Sequence, residues 1–191
     1  MTFSEIGLNK NLQKAIADLG FETPTPIQQE SIPYLLENET DLIALAQTGT
    51  GKTAAFGLPV LHKIEVDRKL PQAIILAPTR ELCLQITKDL GTYAKYTKGL
   101  RITAVYGATN IQIQIKALNS GSQIVVGTPG RVIDLIKRKK LNRGLTEENS
   151  QLGIISPIGY FKFPIGIFFT QLGIGDLFSD SALPDLYIPN P

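Results

Sequence analysis

The 191-residue chain has no tryptophan and only one cysteine, one histidine and one methionine. A lone cysteine excludes an internal disulfide and fits a reducing compartment. Cys83 lies in a helix-like run, Arg80 to Leu90, and reads as a small core residue. One histidine and one cysteine do not make a zinc site, and His62 reads as a solvent-facing helix residue. The start of the chain lacks a cationic stretch followed by an apolar one, so secretion is not expected and a cytoplasmic location is. Charge is sparse too. Charged residues make up 19% against 43% hydrophobic, which fits a globular protein long enough for one domain with a substantial core.

The little charge there is falls unevenly. Residues 1–143 hold 18 of the 19 Lys and Arg and 12 of the 17 Asp and Glu, a net of +6; residues 144–191 carry −4. A basic body suits a polyanionic partner. The run Lys137-Arg138-Lys139-Lys140 fits either that surface or a helix C-terminus that complements its dipole.

The body alternates between two periodicities. Leu8, Leu12, Ala15, Ile16 and Leu19 recur at helical spacing, and Gly20 marks a stop. Pro24-Thr25-Pro26 imposes an extended turn, and Ile27 to Leu36 reads as a second helix despite Pro33. Strand-like runs follow at 42–45, 73–77, 102–106 and 124–127, with helices predicted at 54–61, from about 79, at 111–118 and from about 130. Such alternation implies right-handed βαβ units and a parallel sheet flanked by helices. Ligands of such sheets sit beyond the C-terminal strand ends, where each Gly/Thr/Pro-rich turn of this chain falls.

Beyond about Gly144 the character changes. Lys162 is the only charged residue from Asn149 to Gly175, Gln-Leu-Gly-Ile occurs at 151–154 and 171–174, and Pro157–Phe161 is echoed by Pro164–Phe168. This is a local near-duplication and not a solenoid, which needs three or more units. Prolines and glycines interrupt the apolar run, so it does not read as a membrane span; no membrane partner is expected. Residues 144–191 are expected to form an irregular, low-charge Gly/Ile/Phe/Pro-rich tail unrelated to the body at 1–143.

The most telling segment is Ala46-Gln47-Thr48-Gly49-Thr50-Gly51-Lys52-Thr53, set between a strand-like and a helix-like run. A Gly-rich turn there presents backbone N–H groups and a helix N-terminus to a triphosphate. Lys52 would reach the β/γ-phosphates and the Thr53 hydroxyl would ligate Mg²⁺. The common pattern has Gly where this chain has Ala46, so the loop is a variant.

Other turns read together with this one. Phe3 and Gly20–Gln28 precede it, Pro78-Thr79-Arg80-Glu81-Leu82 follows the second strand, and Thr128-Pro129-Gly130-Arg131 follows the fourth. In order, spacing and wording, residues 3 to about 143 resemble the N-terminal RecA-like domain of a DEAD-box ATP-dependent RNA helicase. The resemblance implies a P-loop α/β fold, here incomplete, with ATP and Mg²⁺ as cofactors and RNA as partner. It implies that Gln28 pairs with the adenine edge, that Phe21 stacks on the base with Phe3 behind it, and that Thr48, Gly49, Thr50, Gly51, Lys52 and Thr53 hold the phosphates and metal. It assigns Pro78, Thr79, Arg80, Gly107, Thr128, Pro129, Gly130 and Arg131 to the RNA backbone. Helix-start amides, Thr hydroxyls and an Arg fork suit phosphate oxygens, so such binding would be salt-sensitive and largely sequence-independent. Arg80 also admits an ion pair with neighbouring Glu81. Where the family has two glycines this chain reads Gly107-Ala108, and the Ala adds a methyl and resists positive φ.

The family's Asp-Glu-Ala-Asp signature is expected about twenty residues beyond Arg131, yet positions 150–156 read Ser-Gln-Leu-Gly-Ile-Ile-Ser. Glu147 and Glu148 lack a preceding apolar strand and the right spacing. The Ser-Ala-Thr motif and a second RecA-like domain are not found, and no catalytic residue is identified. A frameshift, insertion or truncated gene would produce such a junction. The chain is expected to bind ATP and RNA without appreciable hydrolysis. The alternatives are a non-catalytic nucleotide- or RNA-binding module and a degenerate fragment. A P-loop kinase or GTPase would leave Gln28 and the Thr128–Arg131 turn without a role.

Overall fold

The computed structural model describes residues 2–38, 42–44, 46–47, 49–141 and the strand segments Gly153–Ser156 and Tyr160–Lys162. The expectations for Thr48, Glu147, Glu148 and most of the Gly/Pro-rich tail fall outside these residues.

Helix α1 (Lys10–Asp18) begins where the Asn9 side chain accepts the Leu12 N–H at 3.1 Å, two residues inside the expected start. It buries Leu12, Ala15 and Ile16 and gives way to Gly20 at φ 75°. Helix α2 (Pro26–Glu37) has Pro26 in its first turn, where no N–H is needed. Strand β1 (Leu42–Ile43) leads to α3 (Lys52–Lys63). Pro33 and Pro59 sit inside α2 and α3 without ending either. Each helix buries apolar residues on the same core, Ile32 and Leu35 from α2 and Phe56 and Leu58 from α3, and a buried side chain of this size contributes about 1.5–3 kcal/mol. Strand β2 (Ala73–Leu76) is followed by α4 (Arg80–Tyr93), β3 (Ile102–Val105) by α5 (Ile111–Asn119), and β4 (Ile124–Gly127) by α6 (Pro129–Lys137). Elements predicted from periodicity therefore appear in the expected order, with ends shifted by a few residues at most.

The strand order is β1-β6-β5-β2-β4-β3, where β5 is Gly153–Ser156 and β6 is Tyr160–Lys162. Strands β2, β3, β4 and β5 run parallel, while β6 is antiparallel to both β5 and β1. Two reversals restore the direction, so β1 points the same way as β2. The parallel sheet flanked by helices is the expected one, and the described residues of the tail join it. Two of its short apolar segments complete the sheet between β1 and β2, in the register Ala73↔Gly153 and Ile43↔Tyr160.

Side chains alternate across this sheet as the pleat requires. Ala73, Ile75, Ile124 and Val126 face a core shared with α1 to α4. Ile74, Leu76, Val125 and Val105 face a second core with Leu118 of α5 and Val132 and Leu135 of α6. Cys83 is fully buried in the first core, its Sγ donating to the Val126 carbonyl at 3.2 Å. His62 departs from its expected place. It is half-buried, and its Nδ1 accepts the Asn9 N–H at 3.1 Å, tying the start of α1 to the end of α3. Lys137 ends α6 and Lys137–Lys140 are exposed, in keeping with a dipole-complementing helix end. Among the described residues, no helix is long and apolar enough to cross a membrane.

Candidate functional site

Because β1, β2, β3, β4 and β5 share one direction, the segments leaving their C-terminal ends gather along one edge of the sheet. Ala44, Ala46–Gln47 and Gly49–Gly51 follow β1, Ala77–Thr79 leave β2, Tyr106–Asn110 leave β3 and Thr128 leaves β4. Ser156 ends β5 on the same edge.

At the β1 end, Gly49 and Gly51 both take positive φ, 82° and 85°. For Gly51 glycine is required twice over. Its φ disfavours a side chain, and a Cβ there would lie 2.3 Å from Gln28 Nε2. Gln28 is 4% exposed. Its Oε1 accepts the Thr25 N–H at 3.0 Å, and its Nε2 donates to the Gly51 carbonyl at 3.1 Å. The Thr25 hydroxyl adds a bond to the Thr50 carbonyl at 2.8 Å. The start of α2 is thus fastened to the glycine turn by two residues, one of which (Thr25) sequence reading did not assign to the site.

Lys52 Nζ donates to the carbonyls of Ala46 and, at 2.7 Å, Gln47, folding the lysine across its own loop. The first turn of α3 carries Lys52 and Thr53, whose amides have no intrahelical acceptor, as at any helix start. A cation, a helix N-terminus and a glycine turn on one loop suit an anion. Phe21 belongs to an aromatic group. The Phe21 ring, 37% exposed, sits 6.1 Å from Phe3 and 6.3 Å from Tyr93, both buried. For a metal the set is thin: among the described residues no group of three or more His, Cys, Asp or Glu converges. Thr53 is the one predicted ligand, and the β5 sequence Gly153-Ile154-Ile155-Ser156 brings no carboxylate to the edge.

The other turns form a second cluster. Thr79 caps α4, its Oγ1 accepting the Leu82 N–H at 3.2 Å. Arg80 is not in the ion pair considered with Glu81; its guanidinium lies 4.8 Å from the centre of the Tyr106 ring. Pro78, Gly107 and Gly130 are exposed, whereas Thr128 and Pro129 are half-buried at the start of α6. Ala108 takes φ 58°, the left-handed region that its family-implied glycine would occupy freely. Arg131 Nη1 donates to Gln114 Oε1 at 2.7 Å and Nη2 to the Thr109 carbonyl at 3.2 Å. Gln114 is 7% exposed, and its Nε2 donates to the Tyr106 carbonyl at 3.0 Å and to Thr109 Oγ1 at 2.7 Å. Sequence reading missed Tyr106, Thr109 and Gln114. A glutamine early in a helix carries no local signal of the arginine it will meet seventeen residues later.

Known proteins resemble this arrangement. A family model described as DEAD/DEAH box helicase matches residues 25–154. The chain is 51% identical over 142 residues to the ATP-dependent RNA helicase DeaD of Haemophilus influenzae, covering 74% of this chain and 23% of that protein. With the Escherichia coli K12 protein of that name it shares 47% over 141 residues, which is 22% of that protein. The chain thus spans less than a quarter of the length of these curated relatives. The crystal structure of a DEAD box protein from the hyperthermophile Methanococcus jannaschii superposes with a TM-score of 0.71 at 44% identity, over 74% of this chain and 38% of that one. A hypothetical ATP-dependent RNA helicase from Sulfolobus tokodaii superposes at 0.63 and 30% identity, over 71% of this chain and 38% of that one.

Proposed function

The chain belongs to the DEAD/DEAH box helicase family, and from that premise we propose that residues 1–143 form an ATP- and RNA-binding unit of an RNA helicase. The observation that carries this reading is the gathering of the glycine turn, Gln28 and the Pro78, Gly107 and Thr128 turns on one sheet edge. Gly49, Thr50, Gly51, Lys52 and Thr53, with Thr48, would hold the phosphates, and Phe21 would stack on the base. Gln28 spends one lone pair and one N–H on Thr25 and Gly51. An amide has two of each, so one acceptor and one donor are left for the adenine edge. Lys52 would exchange the Ala46 and Gln47 carbonyls for phosphate oxygens. Mg²⁺ would arrive on the nucleotide and keep mostly phosphate and water ligands, with Thr53 as its protein oxygen.

The turn residues Pro78, Thr79, Arg80, Gly107, Thr128, Pro129, Gly130 and Arg131 would lie along an RNA backbone. Hydrolysis needs a carboxylate to hold the metal and polarise water, and β5 supplies none. This chain would therefore bind without appreciable turnover. Calorimetric titration of the full chain with Mg-ATP and Mg-GTP tests the nucleotide half: ATP binds more tightly, and Gln28→Ala narrows the gap. Equal affinity for both nucleotides in the unaltered chain rejects the role of Gln28. RNA-stimulated phosphate release abolished by Lys52→Ala would reject the non-hydrolytic reading.

A further inference from the structure

Arg131 does not stand alone, and the group that holds it has an unusual specification. A guanidinium only donates and a backbone carbonyl only accepts. The side chain between Arg131 and the Tyr106 carbonyl must therefore accept at one end and donate at the other, while staying uncharged in a nearly water-free place. Gln114 does this, with Oε1 toward Arg131 and Nε2 toward the Tyr106 carbonyl and Thr109 Oγ1. A carboxylate would face the Tyr106 carbonyl with no proton to give and would neutralise the arginine. An apolar side chain would strand both partners.

The Gln114 and Thr109 bonds occupy two of the five guanidinium N–H groups and leave three for a ligand. Thr109 Oγ1 also donates to the Tyr106 carbonyl at 3.2 Å, and Tyr106 carries Arg80 on its ring. One buried amide thereby joins the turn after β3 to the turn after β4, and through Tyr106 reaches the turn after β2.

We propose that Gln114 is a positioning residue that fixes the Arg131 fork toward an RNA phosphate and makes the three turns one pre-organised backbone-binding surface. This rests on the reading of Arg131 as a phosphate-binding group. The benefit of such pre-organisation is ordering done before binding, so removing it weakens affinity without changing which groups meet the RNA.

The test is a double-mutant cycle on the full chain, with a fluorescent single-stranded oligouridylate titrated at several salt concentrations. Arg131→Ala should weaken binding roughly tenfold and reduce the salt slope by about 0.7, as expected when one fewer phosphate of a single strand is neutralised. Gln114→Met, which keeps length without acceptor or donor, should weaken binding by about threefold or more in the unaltered chain and not at all in the Arg131→Ala background. Thr109→Val removes only the hydroxyl and should move affinity in the same direction by less, so it serves if Gln114→Met does not fold. If Gln114→Met or Thr109→Val weakens binding equally in both backgrounds, or in neither, the inference is overturned while Arg131 keeps its role. An Arg131→Ala chain with unchanged affinity and slope instead overturns the phosphate-binding reading itself, and the inference with it.

Discussion

The sheet edge carries two buried glutamines, and the two ends they brace are built to different tolerances. Gln28 bonds the α2 start to the glycine turn and lies so close that a Cβ on Gly51 would push its amide off those bonds. Gln114 bonds the β3 and β4 turns together, yet the left-handed residue in the same turn is an exposed alanine. Where a turn is packed, glycine is demanded by both torsion and volume. Where it is open, alanine costs only the torsion. The glycine-turn end is thus the more tightly braced one, and the Gly107–Asn110 turn carries a positive-φ alanine in an exposed loop.

The sharpest way to separate the two ends is Lys52→Ala. It should weaken ATP binding by roughly ten- to a hundredfold, the range of a charge-assisted hydrogen bond, while oligouridylate affinity without nucleotide stays within about twofold. A parallel weakening of both would mean that the ends are not independent. Next comes Gly51→Ala, which combines φ 85° with a 2.3 Å approach to Gln28. It should cost about 1–3 kcal/mol and lower the melting temperature by several degrees; an unchanged melt breaks the contrast. The reciprocal change, Ala108→Gly, should stabilise by up to about 1 kcal/mol, because it relieves positive φ without opening a cavity. Differential scanning calorimetry of both variants gives the pair opposite signs.

The smallest effect involves His62, whose pKa lies below the ordinary 6.5 because burial and then neighbouring Lys63 disfavour its charge. Its Nδ1 must stay unprotonated to accept from Asn9. The unfolded chain therefore takes up this proton first as pH falls. Stability from this group is complete above 6.5 and is lost downward through the lower folded value. His62→Gln should flatten that part of the melting-temperature profile between about pH 5 and 7 and leave both binding ends untouched.

Much of the fold was legible in the chain's own periodicity. The β4 bounds match their sequence prediction, and α5 differs by one residue, because Val/Ile runs and i, i+3, i+4 spacing report burial directly. The glycine turn was legible because positive φ leaves a compositional mark. Strands β5 and β6 were not. Their short apolar runs sit in a repeated Gly/Pro context with no alternation, and only an unfilled place between β1 and β2 gives them a partner. Nor were Gln114 and His62, since each acts through a partner far away in sequence. A polar residue's role is written in what it meets, and periodicity does not record that.

Cys83 carries a practical consequence. It is the chain's single thiol, has no exposed surface, and burial pushes its pKa to about 11. Thiolate is the reactive form, so an alkylating reagent meets neither access nor nucleophile until α4 lifts from the sheet. With excess reagent, labelling kinetics then become a clock for that opening event, read at one site by intact mass. Any ligand that holds the two ends of the edge together should slow the clock in proportion to its occupancy, which turns a buried core cysteine into a built-in reporter of binding.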